Sequence, residues 1–125
     1  MNFKNKREQG YYFEKIASNI ITSKGYTIIG KNYYSKYGEI DLIAKKDNII
    51  IFIEVKQRSS NKFGFGEESI DYHKKRKIFL SARQFLYERK LLDFSIRFDS
   101  IIFYRKNNYS YKWIKNIIWG DEIGL

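Results

Sequence analysis

The sequence predicts a mixed α/β domain of α+β character, with helices packed on a central sheet in the order αβββαββ. Three observations predict it. Two stretches carry apolar residues at helical spacing, two short strands meet at Asp47-Asn48, and the run from Ile49 to Ile53 is apolar on both faces. A strand apolar on both faces belongs in the middle of a sheet covered on each side.

Residues 7–24 form the first expected helix, with Phe13, Ile16, Ala17, Ile20 and Ile21 as its buried stripe and Gly25 as its stop. Glu14 shares a flank with Ala17 and Ile21, at the border of that stripe. Tyr26 to Asn32 is a first strand, followed by a hairpin over 38–45 and 49–57. Residues 58–69 lack periodicity, carry two glycines and read as a mobile surface loop. A second helix runs over 70–90, with Ile78, Phe79, Ala82, Phe85 and Leu86 at core spacing. Strands near 95–104 and 111–118 follow, separated by a turn at Asn107-Asn108.

The 125 residues, 43% apolar, suffice for one core, so the chain is expected to be a single domain over 1–125. It holds no apolar run of membrane-spanning length and no signal-like segment, which makes a cytoplasmic protein without membrane association the expectation. With no cysteine and only His73, any metal site must be built mainly from carboxylates. The net charge of +10 favours a polyanionic partner, nucleic acid first. Enrichment in Lys, Asn, Ile, Tyr and Phe, as an AT-rich genome produces, accounts for part of that charge, so its placement informs more than its total.

A tight turn at Asp47-Asn48 sets opposite each other residues whose numbers sum to 95, so that Asp41 faces Glu54 and Glu39 faces Lys56. Strand alternation places Glu39, Asp41, Phe52, Glu54 and Lys56 on one face, and Ile40, Leu42, Ile51, Ile53 and Val55 on the other. The apolar face is then core, and the charged face a site or open solvent. Two opposed carboxylates repel, and oxygen-only ligands suit a hard ion such as magnesium. The plain alternative is a solvated hairpin face laced with cross-strand ion pairs.

A carboxylate followed by Glu-x-Lys on the next strand resembles the PD-(D/E)xK nucleases, with Ile40-Asp41 in place of Pro-Asp. Glu14, Ala17, Gly25-Tyr26, Asn32, the run Gly38 to Ala44, the run Phe52 to Lys56, Arg58 and Arg97-Phe98-Asp99 are similar to the pattern of the YraN family of uncharacterised bacterial proteins. That family resembles the archaeal Holliday junction resolvases. The resemblance implies a restriction-endonuclease-like fold and a magnesium- or manganese-dependent endonuclease acting on DNA, including branched or junction DNA. On that reading Asp41 and Glu54 hold the metal, Glu14 completes its shell, and Lys56 orients water or stabilises charge on the phosphate. A glycine that precedes the helix glutamate in the family is Phe13 here.

Lys74 and Lys75 open a basic run in the second helix, where positive charge opposes the helix dipole. Phosphate binding would explain it, with Gln57, Arg58 and Lys62 as the near end of the same track; a solvated lysine-rich face is the rival explanation. Asp99 reads as a structural partner of Arg97, and His73 as an ordinary surface residue. Glu39 reads as a salt-bridge partner that positions Lys56. Two alternatives to a nuclease are a non-catalytic nucleic-acid-binding protein that keeps the fold, and an interaction domain for an acidic protein. A homodimer would suit a junction by offering two sites to two strands.

Overall fold

The computed structural model describes residues 3–58, 72–106 and 108–118. Helix α1 (Lys6–Ser23) starts at Asn5, whose side chain accepts the Glu8 N–H at 2.8 Å, while Glu8 reaches back to the Lys4 N–H at 3.0 Å. Two otherwise orphaned donors are satisfied by this reciprocal cap. The helix ends at Gly25, whose φ of 92° no other residue adopts cheaply. Phe13, Ala17, Ser18 and Ile21 are buried, and Ile16 and Ile20 pack beside them.

Strands β1 (Thr27–Ser35), β2 (Gly38–Lys46) and β3 (Ile49–Arg58) form an antiparallel meander. Helix α2 (Tyr72–Glu88) then carries the chain to β4 (Ser95–Lys106), which lies parallel to β3, and β5 (Asn108–Ile114) returns antiparallel to β4. A parallel neighbour needs a long crossover, and α2 supplies it. The sheet order β1-β2-β3-β4-β5 makes β3 the central strand, as its apolar run requires. Among the described residues, two helices flank a mixed five-stranded sheet in the order αβββαββ, the arrangement expected of a restriction-endonuclease-like fold.

Two apolar clusters cover the sheet, one on each face. Phe13, Ala17 and Ile21 of α1 pack with Leu42, Ala44, Ile51, Ile53, Ile101 and Phe103. On the opposite face, Ala82, Phe85 and Leu86 of α2 pack with Ile40, Ile43, Ile50, Phe52 and Phe98. Gly30 admits this closeness, because a Cβ there would lie 3.2 Å from Ile43 Cδ1 and 3.4 Å from Phe85 Cε1.

Most boundaries move by one or two residues, and three shifts matter to the sheet and the site. Strand β1 continues past Asn32 to Ser35, because the chain turns back into β2 only at Lys36-Tyr37, and Ser35 still pairs with Gly38. Arg58 closes β3 instead of opening the loop, and the remainder of that expected loop lies outside the described residues. The last strand begins at Asn108 and ends at Ile114, not 118, because left-handed Asn116 (φ 64°) breaks the extended backbone beyond it. Ile117 then donates its N–H to the Phe98 carbonyl, and Ile118 is buried in the α2-side cluster. No helix among the described residues is long and apolar enough to cross a membrane.

Candidate active site

The β2–β3 register has the expected sum of 95 from Lys46↔Ile49 to Leu42↔Ile53, and there the paired ladder stops. Asp41 is not held opposite Glu54. Its Oδ2 instead accepts the Val55 N–H at 2.8 Å, so a side chain takes the place of a strand neighbour where the strands part. On the other side of β2, pairing passes from Lys31↔Leu42 to Tyr33↔Ile40 and skips Asn32, whose backbone is left-handed at φ 48°.

This irregularity corrects the expected division of faces. Ile40 packs on the α2 side and Leu42 on the α1 side, so two residues predicted to share a face lie on opposite ones. Phe52 is buried core on the face expected to be a site or solvent, because α2 covers it. Asp41, Glu39 and Glu54 instead border a cavity that Ile78 and Lys74 of α2 also line.

Four carboxylates act on one another there. Burial pushes Asp41 up to about 7; the Val55 N–H opposes the shift, while the charges of Glu14, Glu54 and Glu39 add to it. Burial also raises Glu14, against hydrogen bonding by Asn32, with Glu39 contributing. Glu54 Oε1 pairs with Lys74 Nζ at 2.8 Å, whereas Glu54 Oε2 is buried without a hydrogen-bond partner. Asn32 Oδ1 is likewise buried and unpartnered. Among the described residues, no three Asp, Glu, His or Cys side chains are gathered tightly enough to form a metal cage. Asp41, Glu54 and Glu14 nonetheless offer the oxygen-only donors, with two orphaned buried oxygens nearby, that suit a hard divalent cation.

Lys56 is half-buried and its ammonium is destabilised by burial; the Glu54 charge favours it, and Lys74 and Arg58 oppose it. Glu39 is not its salt-bridge partner, a second correction: β1 pairs Tyr34 with Glu39, and that exposed carboxylate raises the Tyr34 hydroxyl instead. The reason is the parting of β2 from β3, which ends the register before residues 39 and 56 can face each other.

Among the expected phosphate contacts, Lys74 reaches from α2 to Glu54, and Lys75 is half-buried beside it. Gln57 and Arg58 instead line a cleft of about 660 Å³ with Lys6, Gln9, Val55, Lys56 and Arg105. Lys62 lies outside the described residues. A second cavity, of about 240 Å³, is bordered by Glu39, Asp41, Glu54, Lys74 and Asp99.

Asp99 is fully buried and fully partnered, as a structural role requires. It accepts Arg97 Nε and Nη2 at 2.9 Å each, Trp113 Nε1 at 2.9 Å and the Asn116 N–H at 3.0 Å. His73 is exposed on α2 against Tyr72.

Sequence reasoning missed Asn32 as a site residue and Lys6, Gln9 and Arg105 as cleft walls. The signal for Asn32 was its residue type, one of the few that tolerates a left-handed backbone inside a strand. Lys6 and Arg105 carry no local signal, since only the tertiary fold brings them to β3.

Glu14, Asp41, Glu54 and Lys56 all lie within the segment shared with known proteins. The profile of the uncharacterised protein family UPF0102 matches residues 13–103. A UPF0102 protein of Fusobacterium nucleatum is 44% identical over 121 residues, covering 97% of this chain and 99% of its own. One from Sulfurihydrogenibium is 45% identical over 111 residues, covering 84% and 96%. Another from Clostridioides difficile is 46% identical over 100 residues, covering 80% and 88%. With such identity sustained from α1 to β4, this chain belongs to the uncharacterised protein family UPF0102.

Proposed function

We propose that this protein is a metal-dependent endonuclease that cuts DNA phosphodiester bonds, with branched or junction DNA as the substrate to test first. The observation that carries the reading is that Asp41 and Glu54 border one cavity, with Asp41 pushed up to about 7 by burial and by the charges of Glu14, Glu54 and Glu39. Carboxylates placed so that they destabilise one another favour a cation among them.

Asp41 and Glu54 would hold a magnesium or manganese ion, with Glu14 completing its shell, and that ion would supply Lewis-acid activation of the phosphoryl group and of the attacking water. Asp41 must shed its proton to take this role, and the Val55 N–H fixes one of its oxygens while it does so. Glu54 must exchange its Lys74 partner for the cation. Lys56 donates hydrogen bonds to the phosphoryl oxygens as charge grows there, while the water oxygen bonds to phosphorus and a P–O ester bond breaks. A DNA substrate would place the activity in the cytoplasm, and a homodimer would present two such sites to a junction.

The test incubates the protein and its Glu54→Ala variant with linear, single-stranded, flapped and four-way-junction DNA, with and without magnesium or manganese. Cleavage that requires both the metal and Glu54 is the expected result. A second reading, a non-catalytic nucleic-acid-binding protein, is favoured by one contact: Lys74 neutralises Glu54 at 2.8 Å. Salt-sensitive binding without cleavage by either protein would establish it in place of the nuclease.

A further inference from the structure

The two cavities beside β3 have opposite character, and the boundary between them falls within one strand. Phe52, Ile53 and Glu54 border the acidic cavity, where Glu39, Asp41 and Asp99 also lie. Val55, Lys56, Gln57 and Arg58 border the other, where Lys6, Gln9 and Arg105 complete the wall. Four of those seven lining residues are cationic and none is acidic.

The fold explains how the cations converge. Arg58 closes β3 and Arg105 lies near the end of β4, and because these strands are parallel, with Arg58 opposite Tyr104, both point their C-terminal ends at one place. Lys6 and Gln9, three residues apart on the first turns of α1, face them across the cleft. The crevice beyond the carboxyl ends of parallel strands is a common ligand position. None of the described lining residues is a carboxylate, and a bound anion would relieve the repulsion among these cations.

From this we infer that the cleft walled by Lys6, Gln9, Arg58 and Arg105 seats backbone phosphates of the bound nucleic acid next to the bond that is cut. The inference rests on nucleic acid being the substrate proposed above. It routes the strand across the start of α1 and the ends of β3 and β4, not along the lysines of α2. Val55 joins the two regions, since its N–H holds Asp41 while the residue borders the cleft. The wall of the cleft thus begins at Val55, the residue that follows Glu54 along β3.

The experiment measures binding of a labelled oligonucleotide over a range of salt concentrations, without divalent cation, for the whole protein and three double variants. Lys6→Gln with Arg105→Gln removes two cleft charges, Lys31→Gln with Arg83→Gln removes two exposed charges elsewhere, and Lys6→Arg with Arg105→Lys keeps the cleft charge. The cleft-neutral pair is expected to weaken binding about tenfold at low salt and to reduce the slope of log K against log salt by about 1.5. The distant pair and the charge-keeping pair should retain the parent slope, and all three should keep the parent melting temperature.

An unchanged slope in the cleft-neutral pair, or an equal loss in the distant pair, would overturn the inference even if cleavage is found. Loss of slope confined to the cleft pair, in a protein that cuts nothing, would uphold the cleft and remove only the nuclease.

Discussion

At the scale of single residues, Asp41 is the group whose chemistry the fold changes most. Its ordinary value of 3.8 rises to about 7, so the folded protein holds a proton that the unfolded chain releases. A raised carboxylate costs stability as pH climbs: the cost is absent below about 4, grows through the window between 3.8 and about 7, and is constant above it. Its full size is at most about 4 kcal/mol. Asp41→Asn, which keeps an acceptor for the Val55 N–H, should flatten this slope and raise the metal-free Tm at pH 8 relative to pH 4.5. Thermal melts across that range check it, and an unaltered pH profile would refute the assignment. The residue types and spacing of Asp41, Glu54 and Lys56 were legible in the sequence because a carboxylate and Glu-x-Lys flank a recognisable turn. The role of Asn32 in the site was not, since a left-handed residue inside a strand leaves only its residue type as a mark and none on hydropathy.

At the scale of elements, the strands most visible in the sequence were those whose burial is uniform. Ile49 to Ile53 is apolar on both faces and is the middle of the sheet. Residues 115–118 read as strand because their hydropathy suits one, whereas the chain is diverted by Asn116, which donates to buried Asp99. That carboxylate ties β4 to β5 and, through Arg97 and the Tyr26 hydroxyl, to the chain entering β1. Asp99→Ala would leave the buried donors without their acceptor and should cost about 3–5 kcal/mol, lowering the Tm by roughly 10–20 °C. Calorimetry measures this directly; a loss below about 1 kcal/mol would mean that the network contributes specificity and little stability. The contact between α2 and β3 makes a prediction of opposite sign. Lys74→Ala should free Glu54 and tighten manganese binding several-fold in calorimetric titration, whereas weaker binding would assign Lys74 a supporting role.

At the scale of the whole molecule, the two-sided packing of helices on a mixed sheet was legible from the patterning of the helices and the central strand. The joining of Lys6 to Arg105 was not, because 99 positions of chain separate them and it takes both the packing of α1 on the sheet and the parallel pairing of β3 with β4 to bring them to one cleft. Hydrogen exchange should find its slowest amides in the middle of β3, between buried neighbours on both sides, and its fastest described ones near the start of β1. Strand β1 is also one of the two outer edges of the sheet, and its pairing is broken between Ile28 and Gly30 and again at Asn32. An outer strand with regular unpaired amides invites another chain to add to it, and interruptions of this kind deter such growth. The left-handed Asn32 that shapes the carboxylate site thus also guards against self-association. Asn32→Val, by straightening that edge, should shift the protein towards aggregates in light scattering at concentrations where the parent chain stays dispersed.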